Sequence, residues 1–144
     1  LGEMYRLTAM MPHEREITVI DPERETERFQ SLSEGRESLP EGGARCFDCY
    51  RLRLEKTARY MAEHPGKYDY FATTLTVSPH KNAEKLNEIG FELAEKYGVR
   101  YLPSDFKKRG GYKRSIELSR EYSLYRQDFC GCEFSRRLRH PDAD

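Results

Sequence analysis

Four cysteines in two close pairs constrain the fold of this 144-residue chain more than any other feature. Cys46 and Cys49 stand three positions apart, whereas Cys130 and Cys132 flank Gly131 about 80 residues further along. Close pairs suit metal or redox chemistry better than a secreted disulfide framework, so we expect thiols rather than disulfides. If all four sulfurs serve one centre, the fold must bring two distant segments together.

The first pair is predicted to lie at the start of a helix. Its apolar face recurs at spacings of three and four, through Cys46, Cys49, Tyr50, Leu54, Thr57, Ala58 and Met61. A helix N-terminus favours the thiolate, the form that binds metal. The preceding Gly42 and Gly43 let backbone N–H groups approach a ligand closely. The alternative is a pair of buried core cysteines.

The second pair brackets a glycine, which removes a side-chain clash that would hinder chelation. Together the two pairs make a four-sulfur set, which suits zinc or an iron–sulfur cluster. The separation between Cys49 and Cys130 is much longer than the roughly 15–20 residues usual in zinc ribbons. The number of sulfurs does not by itself choose between the metals.

The rest of the sequence alternates strand-like and helix-like segments. Strands are predicted over 16–21, 68–77 and 99–102, and helices over 22–29, 46–63, 79–97 and 112–124. Such alternation is typical of an α/β fold, a parallel sheet flanked by helices. One domain is expected over 1–144, with a flexible charged tail over 136–144.

Polar residues cluster where the second strand meets the next helix: Thr73, Thr74, Thr76, Ser78, His80 and Lys81. Ligands bind at the carboxyl ends of parallel strands, and helix N-termini favour anions. The cluster therefore predicts a phosphate or ribose site. The alternative is ordinary strand threonines, a helix cap and a surface histidine.

Asp105 follows the third strand and is a candidate general acid, metal ligand or helix cap. A basic stretch with an interleaved aromatic comes next, comprising Lys107, Lys108, Arg109, Tyr112, Lys113 and Arg114. The chain has no net charge, but residues 99–144 carry eleven Lys or Arg against seven Asp or Glu. This stretch is either a nucleic-acid contact or a solvated basic loop.

Several function classes lose support because their motifs are missing from the sequence. There is no Gly-rich loop ending in Gly-Lys-Ser/Thr, no Gly-x-Gly-x-x-Gly and no Gly-x-Ser-x-Gly. No apolar run approaches the roughly 18 residues of a membrane span, and no secretory signal is visible. We therefore expect a cytoplasmic protein that does not enter a membrane.

Five ordered runs within about residues 40–135 resemble the cobalamin-independent epoxyqueuosine reductase family. They are GGARCFDC with RLRL (42–54), TTLTVSPHKN (73–82), LPSDFKK (102–108), GYKRS (111–115) and LYRQDFCGC (124–132). The resemblance implies a Rossmann-like fold of the adenine-nucleotide hydrolase-like group. The family's opening strand and adjacent Cys-Cys motif have no counterpart here, so the sheet is expected to be N-terminally incomplete.

The resemblance also implies a reaction and its partners. The enzyme would remove the epoxide oxygen of epoxyqueuosine in the tRNA anticodon, yielding queuosine with two electrons from a separate donor. The cofactor implied is an iron–sulfur cluster, 4Fe-4S, with an additional iron allowed and no cobalamin. Alternatives are a tRNA-thiolating or adenylating enzyme of similar fold, and a non-catalytic zinc-stapled RNA-binding module.

Roles carry over to the residues that match the family's motifs. Cys46, Cys49, Cys130 and Cys132 are implied as metal ligands. Asp105 is implied to line the substrate site, and it is our candidate catalytic residue, which would protonate or coordinate the epoxide oxygen. The implied substrate-binding residues are Thr73, Thr74, Ser78, His80, Lys81, Tyr112, Arg114 and Arg126.

Overall fold

The computed structural model describes residues 2–10, 17–20 and 25–139. These residues form α1 (Gly2–Met10), α2 (Thr26–Ser33), α3 (Ala44–Ala62), α4 (Ala83–Tyr97), α5 (Gly111–Glu121) and α6 (Glu133–Arg139). A short 3₁₀ turn spans Leu75–Val77 between α3 and α4. The described part of the chain is therefore mainly helical.

The core lies between α3 and α4, where the predicted apolar faces of both helices meet. Its buried residues are Cys46, Tyr50, Leu54, Ala58 and Met61 of α3, Leu86, Ile89 and Leu93 of α4, with Phe71 and Tyr101. The helix predicted from Cys46 is confirmed and begins two residues earlier. Burial of this continuous apolar stripe is the main force that pairs the two helices.

The predicted parallel sheet is wrong for the described residues. Their only β pairing is a single parallel bridge between Phe71 and Tyr101. The Phe71 N–H donates to the Arg100 carbonyl, and the Leu102 N–H donates to the Phe71 carbonyl, both at 2.9 Å. Residues 17–20 adopt no regular structure, and positions 16 and 21 of the first predicted strand lie outside the described residues.

Local side-chain chemistry explains why the pairing stops there. The Thr73 hydroxyl accepts a hydrogen bond from the Leu75 N–H at 3.1 Å, which turns the chain into the 3₁₀ segment. The Ser104 N–H, which would continue the other side of the ladder, donates instead to Asn87 Oδ1 at 3.1 Å. Phe71 and Tyr101 are instead buried in the core between the helices, where their rings pack 5.0 Å apart.

The segment after Tyr101 is anchored to α4. A Cβ at Gly90 would lie 2.3 Å from the Tyr101 ring, so only glycine lets the ring pack there. The Tyr101 hydroxyl donates to Asn87 Oδ1 at 2.9 Å, and the same oxygen accepts from the Ser104 N–H at 3.1 Å. These bonds fix the position of Asp105, the next residue along the chain.

Helix ends differ from the predictions by a few residues. Asn82, rather than Ser78, caps α4 by accepting from the Lys85 N–H at 2.9 Å. Gly98 ends α4 in the left-handed conformation, which agrees with the predicted end of this helix at residue 97. α2 begins at Thr26, positions 22–24 of that predicted helix lie outside the described residues, and α5 ends at Glu121.

The C-terminal segment also departs from expectation. Residues 136–139 belong to α6, and residues 140–144 of the predicted flexible tail lie outside the described part of the chain. No helix among the described residues combines the length and apolar character that crossing a membrane requires.

Candidate metal centre and adjoining cleft

The first cysteine pair occupies the opening turns of α3. Gly43 is the extended N-cap residue of this helix, and Gly42 precedes it with φ of 88°. The Gly42 N–H points at Cys46 Sγ, 3.3 Å away. Cys46 is buried, and burial raises the pKa of Cys49, an effect that Arg53 partly offsets. The helix start thus presents two thiols with a backbone donor already aimed at one of them.

The second pair is held by Ser135 of α6. The Cys130 N–H donates to Ser135 Oγ at 2.9 Å, and the Ser135 N–H donates to Cys132 Sγ at 3.4 Å. A hydrogen bond from Cys132, with Lys81 in support, lowers the pKa of Cys130 to about 5. The same bond raises the pKa of Cys132. Of the two, Cys130 is therefore the one that loses its proton more readily.

Lys81 lies between the two pairs. Its ammonium group donates to Cys130 Sγ at 2.8 Å and stands 3.5 Å from Glu41 Oε1. The same group lies 5.8 Å from the centre of the Tyr50 ring on α3. Its side chain is almost fully buried. A cation in this position stabilises negative charge on the neighbouring sulfur.

The two pairs are near enough for their charges to interact. Burial is the main cause of the raised pKa of Cys49, and the charges of Cys130 and Cys46 raise this pKa further. Within the described residues, no group of three or more His, Cys, Asp or Glu side chains is arranged to hold a single metal ion. A four-iron cluster takes its thiolates on different irons, so its ligands need not surround one ion. The donor chemistry of the four cysteines fits such a cluster.

Asp105 is held between two lysines. Its carboxylate lies 3.0 Å from Lys107 Nζ and 3.3 Å from Lys108 Nζ. Hydrogen bonds from Lys107 and then Lys108 lower the pKa of Asp105. Lys107 Nζ also donates to the Lys81 carbonyl at 3.3 Å. One lysine therefore links Asp105 to the residue that contacts Cys130.

A cleft of about 590 Å³ opens between the turn before α4, helix α5 and the segment that leads to the second cysteine pair. It is lined by Val77, Ser78, Pro79, His80, Tyr112, Ser115, Ser119, Tyr125, Arg126, Gln127 and Asp128. The structure thus brings together four of the eight predicted substrate-binding residues: Ser78, His80, Tyr112 and Arg126. The lining combines aromatic faces with hydrogen-bonding groups.

Arg126 is oriented by α5. Its guanidinium donates to Ser119 Oγ at 3.2 Å and to the Ser115 carbonyl at 3.4 Å, and lies 6.0 Å from the Tyr112 ring centre. Tyr125 is 70% exposed beside it. The sequence interpretation missed Ser115, Ser119 and Tyr125. The spacing of four between the two serines on α5 is the signal that places them on one face.

The other four predicted substrate residues do not line this cleft. Thr73 and Thr74 form the turn before the 3₁₀ segment, and Thr74 is its N-cap residue. Lys81 faces Cys130, and Arg114 forms ion pairs with Glu117 at 3.2 Å and Glu121 at 3.9 Å. These threonines are therefore engaged in shaping the local backbone.

Thr76 and Ser104 connect the two loops beside the site, and Thr76 belongs to the polar cluster that the sequence predicted as a phosphate or ribose site. Thr76 is fully buried, and its hydroxyl lies 2.9 Å from Ser104 Oγ. It also accepts from the Phe106 N–H at 3.3 Å. This link holds the turn before α4 against the loop that carries Asp105.

Comparison with known proteins gives a consistent result. The sequence model of one family, described as "Epoxyqueuosine reductase QueH", matches residues 3–138. Proteins of that name from Staphylococcus epidermidis and Streptococcus pyogenes serotype M1 are 45% identical over 121 residues and 47% identical over 108 residues. These matches cover 83% and 75% of this chain, but 50% and 42% of the relatives.

A third protein of the same name, from Thermotoga maritima, is 38% identical over 121 residues, covering 82% of this chain and 62% of the relative. The chain thus spans about half the length of the staphylococcal and streptococcal relatives.

Proposed function

Because the chain belongs to the epoxyqueuosine reductase QueH family, we propose that it reduces epoxyqueuosine to queuosine in the tRNA anticodon. The observation that carries this proposal is the match over residues 3–138, which includes both cysteine pairs and the cleft. The reaction consumes two electrons and two protons, and the epoxide oxygen leaves as water. The chain must therefore bind a polyanionic RNA, receive electrons and deliver protons.

We propose that Cys46, Cys49, Cys130 and Cys132 bind an iron–sulfur cluster. All four are free thiols, and the lowered pKa of Cys130 supports a thiolate at one of them. A bound cluster would supply the electrons for the reduction. The burial of Cys46 and Lys81 limits access of water to this region.

Asp105 is the proposed catalytic residue, and its geometry refines its role. A carboxylate whose pKa is lowered by two lysines is ionised at neutral pH and is a poor proton donor. It can accept a hydrogen bond from the substrate or offer an anionic oxygen to an iron. The Lys107 ammonium, whose Nζ lies 3.0 Å from the Asp105 carboxylate, is a proton donor next to this carboxylate. We propose that Asp105 orients Lys107 and the reacting group together.

The cleft is the proposed site for the modified nucleotide. Unstacked RNA bases bind proteins by stacking on aromatic rings and by hydrogen bonds to their edges. Tyr112 and Tyr125 offer rings, while Ser78, His80 and Arg126 offer polar groups in the same cleft. His80 precedes Lys81 in the chain, so the cleft adjoins the cysteine region. The basic residues after Asp105 would contact phosphates.

Anaerobic reconstitution with iron and sulfide tests this proposal most directly. The protein should take up both elements and, with a chemical reductant such as dithionite supplying the two electrons, convert epoxyqueuosine in tRNA to a product lighter by one oxygen, measured by mass spectrometry of the digested nucleosides. Iron, zinc and sulfide are assayed in the same sample. Uptake of zinc without iron, together with no conversion, would contradict the proposal and favour a zinc-stapled RNA-binding module.

A further inference from the structure

Lys81 has an unusual environment for a lysine. Its side chain is only 7% exposed, whereas a lysine normally keeps its ammonium group in water while burying its aliphatic stem. A buried ammonium group is costly unless charged and polar partners replace its hydration. The partners of Lys81 therefore account for its burial.

Those partners come from three separate segments. Cys130 Sγ accepts at 2.8 Å from the C-terminal segment, and Glu41 Oε1 lies 3.5 Å away in the loop before α3. The Tyr50 ring on α3 lies 5.8 Å from the ammonium. Lys81 thus connects the segment of the second cysteine pair to the start of the helix that carries the first.

A second path joins the same two segments. Ser135 Oγ donates to Glu41 Oε2 at 3.4 Å and accepts from the Cys130 N–H at 2.9 Å. Ser135 is 2% exposed. Lys81, Glu41, Ser135 and Cys130 therefore form a closed polar ring, which we call the Lys81 ring. Residues 125–128, just before Cys130, are exposed and supply little apolar packing of their own.

We propose that Lys81 and Glu41 are positioning residues, which hold Cys130 and Cys132 beside Cys46 and Cys49 before any cluster is bound. The inference rests on the proposed function because it treats these cysteines as cluster ligands. The geometry of the Lys81 ring supports it, since a charge pair replaces the hydrophobic packing that this segment lacks. Glu41 acts through Lys81 and Ser135.

Hydrogen exchange of the metal-free protein tests this inference. The substitution Lys81→Met keeps an unbranched side chain that is shorter by one atom, and removes its charge. Amides of residues 128–136 should then exchange about tenfold faster, because losing a hydrogen bond to a charged group weakens local closure by at least that factor. The matched control is Lys85→Met. Lys85 bonds to Glu88 at 2.7 Å and lies 5.8 Å from the Phe47 ring, so its exchange pattern should be unchanged.

A second variant separates positioning from a general folding defect. Glu41→Gln keeps the shape of the side chain and an acceptor for Ser135, but removes the charge that faces Lys81. It should speed exchange of residues 128–136 less than Lys81→Met, and the double variant should match Lys81→Met alone. If Lys81→Met also speeds exchange throughout α3 and α4, that variant has a general folding defect. The exchange of Glu41→Gln then decides whether the Lys81 ring positions the second cysteine pair. Unchanged exchange of residues 128–136 in Glu41→Gln would then overturn the inference, as would unchanged exchange in both variants.

The rate at which the reconstituted protein loses iron tests whether the Lys81 ring also stabilises the bound cluster. After reconstitution, Lys81→Met should lose iron to a chelator roughly tenfold faster than the wild-type protein, as removal of an outer partner of a metal ligand commonly does. Equal rates would count against the inference. If the wild-type protein takes up no iron and sulfide, the proposed function fails. The exchange experiment, made without metal, still decides whether the Lys81 ring positions the cysteines.

Discussion

The two cysteine pairs are held in place by different physical means. Cys46 and Cys49 belong to a helix of 19 residues whose apolar face packs against α4. Cys130 and Cys132 precede a helix of seven residues and depend on Ser135 and the Lys81 ring. One pair is positioned by hydrophobic burial spread over many residues, and the other by a few polar contacts.

This difference predicts different tolerances to substitution. Burial energy distributed over a helix changes little when one polar atom is lost, whereas a ring of four polar partners opens when any member is removed. The second pair should therefore be the more mobile and the more easily disrupted. A mobile ligand pair also offers a route for a cluster to enter.

The largest expected effect comes from removing one sulfur from each pair. Cys49→Ala and Cys130→Ala should each weaken binding of the cluster by at least about a hundredfold, because even outer-shell partners commonly contribute up to that factor. The two variants should differ in the metal-free protein. Cys130→Ala leaves the buried Lys81 ammonium without its sulfur partner and should loosen residues 128–136, whereas Cys49→Ala should not.

Iron and sulfide analysis measures the first effect, and hydrogen exchange measures the second. If Cys49→Ala loosened residues 128–136 as much as Cys130→Ala does, the contrast between the two pairs would be wrong.

The next largest effect is expected at Asp105. Its loop is anchored to α4 by hydrogen bonds between Asn87 and Ser104. Asp105→Asn keeps the shape but removes the anionic oxygen, so turnover should fall roughly a hundredfold. Cluster content should stay near the wild-type level because the cysteines are untouched. Single-turnover conversion of epoxyqueuosine-containing tRNA is the measurement.

Asp69→Asn is the matched control for Asp105→Asn, since Asp69 pairs with Arg100 at 3.4 Å on an exposed surface. It should leave turnover unchanged. A near-native rate for Asp105→Asn would contradict a catalytic role and would make Asp105 structural.

Helices α2 to α5 could be predicted from the sequence, whereas α1, α6 and the absence of a sheet from the described residues could not. A periodic face such as Leu54, Ala58 and Met61 reports burial directly, because spacing of three and four places these residues on one side. The run from residue 68 to residue 77 has strand-like composition, but only Phe71 pairs in the described structure. Apolar β-branched and aromatic residues indicate burial without saying whether a strand or a helix covers them.

Part of the site could likewise be predicted. The cysteines and four cleft residues belong to short motifs, which reading along the chain can find. Glu41 and Ser135 were missed because their contact spans 94 positions and has no periodic signature. Thr73 and Thr74 had the residue types of a ligand site, yet their hydrogen bonds shape a turn. Only three-dimensional coordinates distinguish these cases.

A smaller effect is expected in the cleft. Tyr112→Leu should weaken tRNA binding about tenfold, since stacking of one base on an aromatic ring contributes about 1–3 kcal/mol. Cluster content should not change. Binding is measured at one fixed salt concentration, because phosphate contacts make affinity depend on salt.

The chain provides a matched control for Tyr112→Leu on another surface. Tyr70 is 50% exposed, and the Arg100 guanidinium lies 4.6 Å from its ring centre, much as Arg126 lies near Tyr112. Tyr70→Leu should leave tRNA affinity unchanged. Equal losses for both variants would indicate a general effect of exposed tyrosines and would contradict the assignment of the cleft.

The smallest effect is expected among the helices that pack by hydrophobic burial. Glu55 of α3 lies where three helices meet, and it accepts hydrogen bonds from Lys96 at 2.6 Å, Tyr97 at 2.9 Å and Arg28 at 2.6 Å. Burial raises the pKa of Glu55, but these bonds outweigh it and lower the pKa from 4.5 to about 2. The native state therefore keeps this carboxylate ionised at a pH where the unfolded chain protonates it.

The sign of the pH dependence follows from this lowered pKa. The stabilisation from Glu55 is fully present above about pH 4.5 and is lost as the pH falls toward 2. Glu55→Gln should lower the free energy of unfolding by about 1 kcal/mol at neutral pH, because Lys96 and Arg28 are about half exposed. This deficit should shrink as the pH approaches 2.

Urea unfolding at a series of pH values measures this deficit. The control is Glu92→Gln, since Glu92 pairs with Arg51 on the surface. Residues 128–136 should exchange at the wild-type rate in Glu55→Gln, because the Lys81 ring is independent of this cluster. A deficit in the free energy of unfolding that stays constant from pH 7 to pH 2 would mean that the charge of Glu55 does not stabilise the packing of these helices.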